Sequence, residues 1–269
     1  MSNPYKIEPP FVVSFSGGRT SAFMLRKILD AHDGLPNGGH VVFANTGREV
    51  EATLDFVKTI GDRWCPITWV ERRFRQEPDF VVVDHASASR NGEPFARLIE
   101  AKKFLPNPVM RFCTEELKVR AISSYMKSVG VNEATMVVGL RADEPRRVHR
   151  VQGDERGGFS YECPMARAGH TIEDVMAYWK TQPFDLALPN DDRAFGNCDL
   201  CFLKGRGMIE RVLRHSPDKA DWWVEQEQKV GGLFRKDRPS YGTILHQVRI
   251  QPQLFTDDDD SAIPCTCTD

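Results

Sequence analysis

Residues 11–25, with the sequence FVVSFSGGRTSAFML, decide the fold of this chain. A short apolar run ends at Ser16-Gly17-Gly18, and apolar residues at helical spacing follow immediately. This pattern predicts a strand, a tight glycine turn and the N-terminus of a helix. Glycine lets the backbone approach a ligand closely, and the first helical turn offers unpaired N–H groups and the positive end of the helix dipole. The stretch therefore predicts a phosphate-binding loop, with an ordinary corner of small residues as the alternative.

The side chains of this loop add to its phosphate-binding character. Ser16, Thr20 and Ser21 supply hydroxyl donors, and Arg19 supplies a positive charge. The loop is not of the Walker type, because the Gly-Lys-[Ser/Thr] ending is missing, and it lacks the third glycine of the dinucleotide-binding fingerprint. The sequence thus predicts a phosphate loop of another class.

Length and composition are those of an ordinary globular protein. The 269 residues are 41% hydrophobic and 28% charged, which fits one large α/β domain or one domain with an appendage. No apolar run reaches the roughly 18 residues of a membrane span, and the N-terminal residues lack the pattern of a signal peptide. We therefore expect a cytoplasmic protein that has no membrane partner.

Charge is unevenly distributed along the chain. Residues 257–269 hold five acidic residues and no lysine or arginine, whereas residues 1–256 hold 36 basic residues against 33 acidic ones. A surplus of three is too small to argue for nucleic-acid binding, and it does not exclude it. The four adjacent aspartates Asp257–Asp260 repel one another and resist packing, so the pattern predicts an acidic tail over residues 251–269.

Strands and helices alternate along the rest of the chain. Apolar runs predict further strands at 41–44, 66–70, 81–83 and 135–139. Helical spacing predicts helices over 21–32, 51–64, 115–128, 171–181, 208–214 and 218–230. Such alternation is typical of βαβ units, which build a parallel sheet with right-handed crossovers. Residues 72–110 are less regular, and we interpret them as an insertion that covers the ligand edge of the sheet.

Three loops follow predicted strands, at residues 16–20, 45–49 and 140–147. Because the carboxyl ends of parallel strands lie side by side, ligand-binding groups on such loops converge. The sequence therefore predicts that the glycine turn, the loop after the second strand and the loop after the strand at 135–139 share one site.

The loop at 140–147 carries the charges that a nucleotide needs. Arg141, Arg146 and Arg147 suit a phosphate or sulfate, because guanidinium groups are always charged and bind bidentately. Asp143 or Glu144 could hold Mg²⁺ through carboxylate oxygens. A solvated charged loop is the alternative interpretation.

Seven cysteines, an odd number, do not suggest a disulfide scaffold in a chain of this length. Cys198 and Cys201 form a Cys-x-x-Cys motif in a glycine-bounded loop, a spacing that can chelate one metal ion or adjacent irons of a cluster. A thioredoxin-like redox pair is less fitting, because the flanking βαβ context is wrong. Cys113 stands at a predicted helix start, where a thiolate is favoured.

The remaining cysteines differ in what they can do. Cys265 and Cys267 lie on the acidic tail, which could reach back to the other thiols. Cys163, before a proline, is a further possible ligand, and Cys65 lies in an apolar stretch that predicts an inert core residue. Iron–sulfur and zinc binding both fit soft thiolate ligands, and simply buried cysteines are the alternative.

Six segments, taken together and in order, resemble the phosphoadenosine-phosphosulfate reductase family. The resemblance covers about residues 11–215. The segments are Ser16-Gly17-Gly18, Asn45-Thr46-Gly47-x-Glu49, Arg111-x-Cys113-Thr114-x-x-Leu117-Lys118, Gly139-Leu140-Arg141-Ala142-Asp143-Glu144, Thr171-x-x-Asp174-Val175 and Cys198-x-x-Cys201. The Ser-Gly-Gly-x-x-Ser order also resembles the pyrophosphate loop of the adenine-nucleotide alpha-hydrolase superfamily, and the acidic Cys-x-Cys tail looks like that of phage and bacterial members of the reductase family.

The resemblance implies an α/β fold. We expect a Rossmann-like parallel sheet with helices on both faces and an adenine nucleotide across the strand ends, plus a mainly helical C-terminal part. The expected divisions are a pyrophosphate-loop nucleotide-binding domain at 1–160, a helical cysteine-containing part of the same catalytic unit at 161–250, and the acidic Cys-x-Cys tail at 251–269.

Three functions follow as expectations from the resemblance. The first is ATP-dependent adenylation, with Mg²⁺, coupled to sulfur transfer through a 4Fe–4S cluster. The second is a sulfonucleotide reductase that releases sulfite from an adenylyl sulfate, and the third is a non-catalytic zinc- and nucleotide-binding module of a nucleic-acid modification complex. DNA or tRNA as acceptor, a sulfur or electron donor protein, and a homodimer are partners that the sequence leaves open.

The resemblance and the residue chemistry together assign roles. The expected catalytic residues are Arg141, Asp143 and Cys265. The expected nucleotide-binding residues are Ser16, Gly17, Gly18, Arg19, Thr20, Ser21, Asn45, Thr46, Gly47, Lys118 and Arg146. The expected metal ligands are Cys113, Cys198, Cys201 and Cys267, with Cys265 and Cys163 as alternatives for the fourth position.

Two positions depart from the family pattern. Members that split ATP usually have Ser-Gly-Gly-Lys-Asp-Ser, whereas Arg19 and Thr20 stand in place of the Lys and Asp here. Arg19 can supply a positive charge, but Thr20 cannot supply a carboxylate. Sulfonucleotide reductases typically lack an intact Ser-Gly-Gly loop, which this chain has, so ATP and adenylyl sulfate both stay open as ligands.

Overall fold

A computed structural model of the protein describes residues 3–250. Its strands are β1 (Phe11–Phe15), β2 (Gly39–Ala44), β3 (Thr68–Arg72), β4 (Phe80–Val83), β5 (Ala134–Val137), β6 (Glu155–Arg156) and β7 (Phe159–Glu162). Within the described residues they form one seven-stranded sheet in the order β4-β3-β2-β1-β5-β7-β6. The five central strands pair in parallel, and the edge strands β4 and β6 pair antiparallel with their neighbours.

Helices connect and cover these strands. The α-helices are α1 (Arg19–His32), α2 (Glu51–Arg63), α3 (Glu93–Lys102), α4 (Phe112–Thr114), α5 (Arg120–Ser128), α6 (Pro145–Val151), α7 (Pro164–Ala168), α8 (Ile172–Trp179), α9 (Arg206–His215), α10 (Ala220–Val230) and α11 (Tyr241–Ile250). A π-helical turn, Glu115–Val119, joins α4 to α5. Short 3₁₀ turns occupy Pro189–Asp191, Arg193–Phe195 and Pro217–Lys219.

Both faces of the sheet are buried, which explains why its central strands are apolar throughout. Val12 and Val13 are neighbours on β1 and point to opposite faces. Val13 belongs to the larger core cluster, and Val12 belongs to the smaller one. The fold class predicted from the sequence, α/β with a parallel sheet covered on both faces and a helical C-terminal part, is confirmed.

The strand order reverses at β1. From β1 the chain adds β2 and β3 on one side and later adds β5 and β7 on the other. In open α/β sheets, ligands bind in the crevice outside the carboxyl ends of the strands at such a reversal point. The turn after β1 and the loop after β5 therefore flank the expected ligand position.

Most predicted elements are present, with shifted ends. Several elements were not predicted: α3, α6, α7, α11, β6 and β7. The predicted boundary at residue 160 falls inside β7, which is part of the sheet. The predicted insertion at 72–110 contains β4 and α3 and contacts the loop after β2, because the N–H of Gly92 donates to the carbonyl of Gly47 at 2.8 Å.

The acidic tail and its residues Cys265 and Cys267 lie outside the described residues. Among residues 3–250, none of the helices combines the length and the apolar character that a bilayer crossing requires.

Candidate functional site

The glycine turn after β1 is shaped by its contact with α2. Gly17 has a φ of +79°, and a Cβ atom there would lie 2.7 Å from the Cγ2 of Thr53 and 2.8 Å from the Cγ2 of Val57. Both the backbone conformation and the close approach of α2 therefore require glycine. Gly18 is the N-cap residue of α1 and supplies no side-chain cap to the first N–H groups of that helix.

The serines of the turn hydrogen-bond to each other. Ser21 is fully buried, its Oγ donates to the carbonyl of Gly18 at 3.0 Å, and it accepts from the Ser16 hydroxyl at 2.9 Å. A Cβ on Gly139 would lie 3.3 Å from the Cα of Ser21, so the residues after β5 pack directly on α1. Ser21 therefore closes the loop, whereas Ser16 faces the cavities described below.

Arg141 connects the loop after β5 to the first turn of α1. Its side chain is buried, with a residue exposure of 8%, and its Nη1 donates to the Thr20 hydroxyl at 3.3 Å. Its Nε donates to Asp143 at 3.0 Å, and its backbone N–H donates to Glu144 at 3.0 Å. The structure thus brings the loops at 16–20 and 140–147 together, as their positions after adjacent parallel strands predict.

A cavity of about 490 Å³, here called the phosphate cavity, opens at this junction. One wall comes from the two loops: Ser16, Gly18, Arg19, Thr20, Arg141 and Asp143. The opposite wall comes from a segment that the sequence did not point to: Leu186, Leu188, Asp191, Asp192, Arg193, Gly196 and Asn197. The run of Asp and Arg at 191–193, just before the Cys-x-x-Cys motif, is the feature that could have indicated it.

Arg19 lines the phosphate cavity, but its guanidinium binds carboxylates. Its Nε and Nη2 donate bidentately to Asp185, at 2.8 Å each, and Nη2 also pairs with Asp191. The same group donates to the carbonyl of Leu186 at 3.0 Å. In this arrangement the charge of Arg19 is neutralised by two acids, and the residue joins α1 to the 185–191 segment.

The loop after β2 is buried and internally bonded. Asn45 donates to Glu71 at 2.6 Å and to the carbonyl of Ser89 at 2.9 Å, which holds the loop against β3 and the following segment. The Thr46 hydroxyl donates to Glu49 at 2.9 Å. Neither Asn45 nor Thr46 lines the phosphate cavity, so the structure gives both a positioning role in the loop.

The Cys-x-x-Cys loop contacts this loop directly. Cys198 forms a β-bridge with Glu49, and its Sγ lies 3.7 Å from the Thr46 hydroxyl. Asp199 pairs with Arg48 in a buried ion pair, and its backbone N–H donates to the carbonyl of Arg48 at 2.9 Å. These contacts place Cys198 at the carboxyl end of β2, one strand away from the glycine turn.

Buried polar groups hold the Cys-x-x-Cys loop in one conformation. The Lys204 ammonium donates to the carbonyls of Ala194, Cys198 and Asp199 at 2.6, 2.8 and 2.7 Å. Trp223 donates to the Asp199 carboxylate at 2.9 Å. A loop held in this way presents its two thiols at fixed positions, as a metal site requires.

Cys113 lies just before a turn that contacts the loop after β2. It lies in α4, which continues into the π-helical turn, a feature that is frequent at functional sites. Lys118 in that turn lies 3.9 Å from Glu49, the residue that also bridges to Cys198. The π-helical turn that follows Cys113 and the Cys-x-x-Cys loop therefore both contact Glu49 in the loop after β2.

The three thiols do not form a compact trio. Among the described residues, one set of three candidate metal ligands has its atoms within 4.8 Å of one another, and that set is Glu51, Asp55 and His85. At least one pair among the sulfurs of Cys113, Cys198 and Cys201 is therefore more than 4.8 Å apart, beyond the roughly 3.8 Å that separates thiolates around a single tetrahedral zinc ion. As they lie in the structure, these three sulfurs do not form a closed site for one zinc ion.

Burial distinguishes the other two described cysteines. Desolvation raises the pKa of the Cys163 thiol to about 12, with the charge of Glu162 acting in the same direction. Desolvation also raises the pKa of Cys65 to about 11. Both thiols are thus held protonated, and Cys65 packs in the larger core cluster as the sequence predicts.

A second cavity, of about 230 Å³, lies beside the end of β1 and also reaches Ser16. Its walls are mostly apolar, and its charged lining residues are Glu115, Lys118, Arg150 and Asp154. Arg146, which was predicted to bind the nucleotide, is exposed on α6, whereas Arg150 lines this cavity. Arg150 follows Arg146 by one helical turn, and that spacing is the feature that could have indicated it.

No family model matches the chain. The nin region protein ORF290 of Escherichia phage lambda, described as uncharacterized, is 32% identical over 206 residues, which cover 74% of this chain and 67% of that protein. This chain therefore belongs to the same family as the phage lambda protein. An uncharacterized 37.8 kDa protein in the gpa 5' region of Escherichia phage 186 is 23% identical over 276 residues, covering 88% of this chain and 80% of that protein.

Among solved structures, the fold is similar to the phosphoadenylyl-sulfate (PAPS) reductase from Candida auris, determined as a phosphate complex. The TM-score is 0.41 and the sequence identity is 17%, over 66% of this chain and 79% of that chain.

Proposed function

We propose that this protein is an enzyme that binds an adenine nucleotide with its phosphates in the phosphate cavity. The observation that carries the proposal is the position of Arg141, which is buried beside Thr20 at the reversal point of the sheet. A buried guanidinium next to the first N–H groups of a helix and a glycine turn is a strong anion-binding arrangement. Asp143, on the rim of the same cavity, offers carboxylate oxygens to a phosphate-bound Mg²⁺.

The reaction we favour is ATP-dependent adenylation of an acceptor, coupled to sulfur transfer. The backbone N–H groups at the start of α1 and the Arg141 side chain would stabilise charge that develops on the alpha phosphate. Groups that are already in place act strongly there, because they need no reorganisation during the reaction. Pyrophosphate is the product expected from ATP.

The cysteines fit an iron–sulfur cluster as the second component of this function. The donors are thiols, the preferred ligands of such clusters, and Cys198 and Cys201 stand on a loop held by Lys204 and Asp199. Cys267 or Cys265 would supply the fourth ligand. When bound, the cluster would supply a site for sulfur or electron transfer.

One observation favours reduction of an adenylyl sulfate instead. Because Asp185 and Asp191 neutralise Arg19, the loop offers fewer cations than a triphosphate would use. In that reaction the Cys265 thiolate would attack the sulfonate sulfur, forming an S–S bond while the bond from sulfur to the phosphate oxygen breaks. Reductive cleavage by a thiol donor would then release sulfite.

The test starts from protein purified without oxygen. The protein is incubated with ATP in one reaction and with adenylyl sulfate in another. Release of pyrophosphate is measured in the first reaction and release of sulfite in the second. Pyrophosphate release supports adenylation, and sulfite release supports reduction. If neither product forms and the protein holds stoichiometric zinc, the result supports the non-catalytic module. Cys198→Ser should lower the iron content, and Cys65→Ala, in the core, should leave it unchanged. Equal iron content in both variants would remove Cys198 from the ligand set.

A further inference from the structure

Three arginines line the phosphate cavity, and they differ in their partners. They are Arg19, Arg141 and Arg193. Arg19 and Arg141 each form ion pairs with two carboxylates. Within residues 3–250, the half-buried Arg193 side chain forms neither a hydrogen bond nor an ion pair. Among the cavity arginines, Arg193 therefore carries the charge that no described carboxylate neutralises.

The acidic residues next to Arg193 in sequence bind other arginines. Asp191 pairs with Arg19. Asp192 accepts from the Nε of Arg211 at 2.8 Å. Both carboxylates are thus engaged on either side of Arg193, so its guanidinium keeps its charge for a ligand in the cavity.

The backbone around Arg193 is held in place. Asp192 caps the short 3₁₀ turn that begins at Arg193, because its carboxylate accepts from the Ala194 N–H at 2.8 Å. The Lys204 ammonium donates to the Ala194 carbonyl at 2.6 Å, and Phe195 is buried in the larger core cluster. A side chain that starts from a fixed backbone is well positioned to bind a ligand.

We propose that Arg193 binds the second anionic group of the nucleotide, the phosphate or sulfonate attached to the alpha phosphate, and so favours such nucleotides over AMP. This inference rests on the proposed function. A guanidinium offers two parallel N–H donors, which match two oxygens of a phosphate or sulfonate. A ligand reaches Arg193 without breaking an ion pair of the described residues, whereas Arg19 would first have to leave two acids.

The position of Arg193 indicates where the second anionic group would lie. Arg141 and Thr20 follow neighbouring strands at the reversal point of the sheet. Arg193 belongs instead to the segment that leads to Cys198, five residues later. A nucleotide held by Arg141 at its alpha phosphate and by Arg193 at its second group would extend toward the Cys-x-x-Cys loop. In adenylation that second group belongs to the leaving pyrophosphate, and in reduction it is the sulfonate.

Calorimetric titration of the full chain, purified without oxygen, tests the proposal with AMP, ADP and adenylyl sulfate. AMP carries the alpha phosphate alone, ADP adds a phosphate and adenylyl sulfate adds a sulfonate. Arg193→Gln should raise the Kd for ADP or for adenylyl sulfate about tenfold and should change the Kd for AMP less than about twofold. A loss with ADP assigns a phosphate to Arg193, and a loss with adenylyl sulfate assigns a sulfonate. An unchanged Kd for both ligands would overturn the proposal.

Two further variants serve as controls. Arg193→Lys keeps the charge but not the bidentate geometry, so its Kd for the affected ligand should lie between those of the wild type and Arg193→Gln. Arg97→Gln changes an exposed residue of α3 that lines neither cavity and should retain the wild-type Kd for all three nucleotides. If Arg193→Gln weakened AMP as much as ADP and adenylyl sulfate, the change would act on the whole site and the proposal would be overturned.

The AMP titration separates this proposal from the proposed function. If the wild type binds AMP, ADP and adenylyl sulfate with equal affinity, the role of Arg193 is overturned and the nucleotide site stands. If the wild type binds none of the three, the proposed function is overturned and the role of Arg193 falls with it.

Discussion

The Nη1 of Arg141 lies 3.3 Å from the Oγ1 of Thr20, and this contact joins the end of β5 to the first turn of α1. The two residues are 121 positions apart in sequence, but they meet because β1 and β5 are neighbours at the reversal of strand order. Asp143 and Glu144 hold the same guanidinium from the other side. Arg141 is therefore positioned before a ligand arrives.

Replacing Arg141 should weaken nucleotide binding. Charged hydrogen bonds are worth about 1.5–3 kcal/mol, so Arg141→Ala should raise the Kd for the bound nucleotide by about 10- to 150-fold. Arg97 is exposed on α3 and lies outside the lining of both cavities, so Arg97→Ala should change the Kd less than about twofold. Calorimetric titration with ATP and with adenylyl sulfate measures the Kd of each variant. Equal affinities in the two variants would contradict the proposal that Arg141 binds the nucleotide.

Gly17→Ala should destabilise the fold through a steric clash. Its φ of +79° costs about 1–2 kcal/mol in a residue with a side chain. The clash with Thr53 and Val57 adds about 1–3 kcal/mol. Gly231→Ala is the control, because Gly231 has a φ of +67° and nothing lies within 4 Å of its Cβ position. Urea unfolding should show a larger loss in the free energy of unfolding for Gly17→Ala than for Gly231→Ala. Equal losses would show that α2 moves to accept the added methyl group without a free-energy penalty.

Asp199→Asn should destabilise the fold although Asp199 is not a metal ligand. Asp199 and Arg48 are both buried, and removing one charge from a buried ion pair costs about 3–5 kcal/mol because the other charge is left uncompensated. Asp62→Asn breaks an exposed helix pair with Lys58 and should cost less than about 1 kcal/mol. Chemical denaturation measures both costs, and iron content should fall only in the Asp199 variant.

His170 should make the stability depend on pH. Burial lowers the pKa of His170 from its usual 6.5, with Asp174 acting in the opposite direction and Lys27 in the same one. Between the lowered value and 6.5, the unfolded chain binds more protons, so the free energy of unfolding falls as pH drops through this window. The neutral ring binds the Tyr5 hydroxyl at 2.6 Å.

Denaturation curves on both sides of this window test the histidine. His170→Gln should lose less stability than the wild type as the pH falls below 6.5. The control, His149→Gln, changes an exposed residue of α6 and should retain the wild-type pH dependence. If His170→Gln keeps the wild-type pH dependence of stability, another titratable group causes that dependence.

The helices and strands that depend mainly on interactions between residues close in sequence were predicted from the sequence. The helix predicted over 171–181 is present as α8, where Thr171 and Asp174 form a capping box and the Thr171 N–H donates to the Asp174 carboxylate at 2.8 Å. The helix α6 was missed, because its seven residues carry four charged or titratable side chains and no apolar stripe. Short elements of this kind depend on packing, which a periodicity analysis does not see.

The sequence alone determined the strand, glycine turn and helix at residues 11–25 and the parallel α/β class, because apolar periodicity and glycine act over a few neighbouring residues. Only the tertiary structure decided what each charged residue binds. It placed Arg19 on Asp185 and Asp191, Arg48 on Asp199, and Arg141 on Thr20. These partners are more than 100 residues apart, and their choice depends on strand order and burial, which no local pattern encodes.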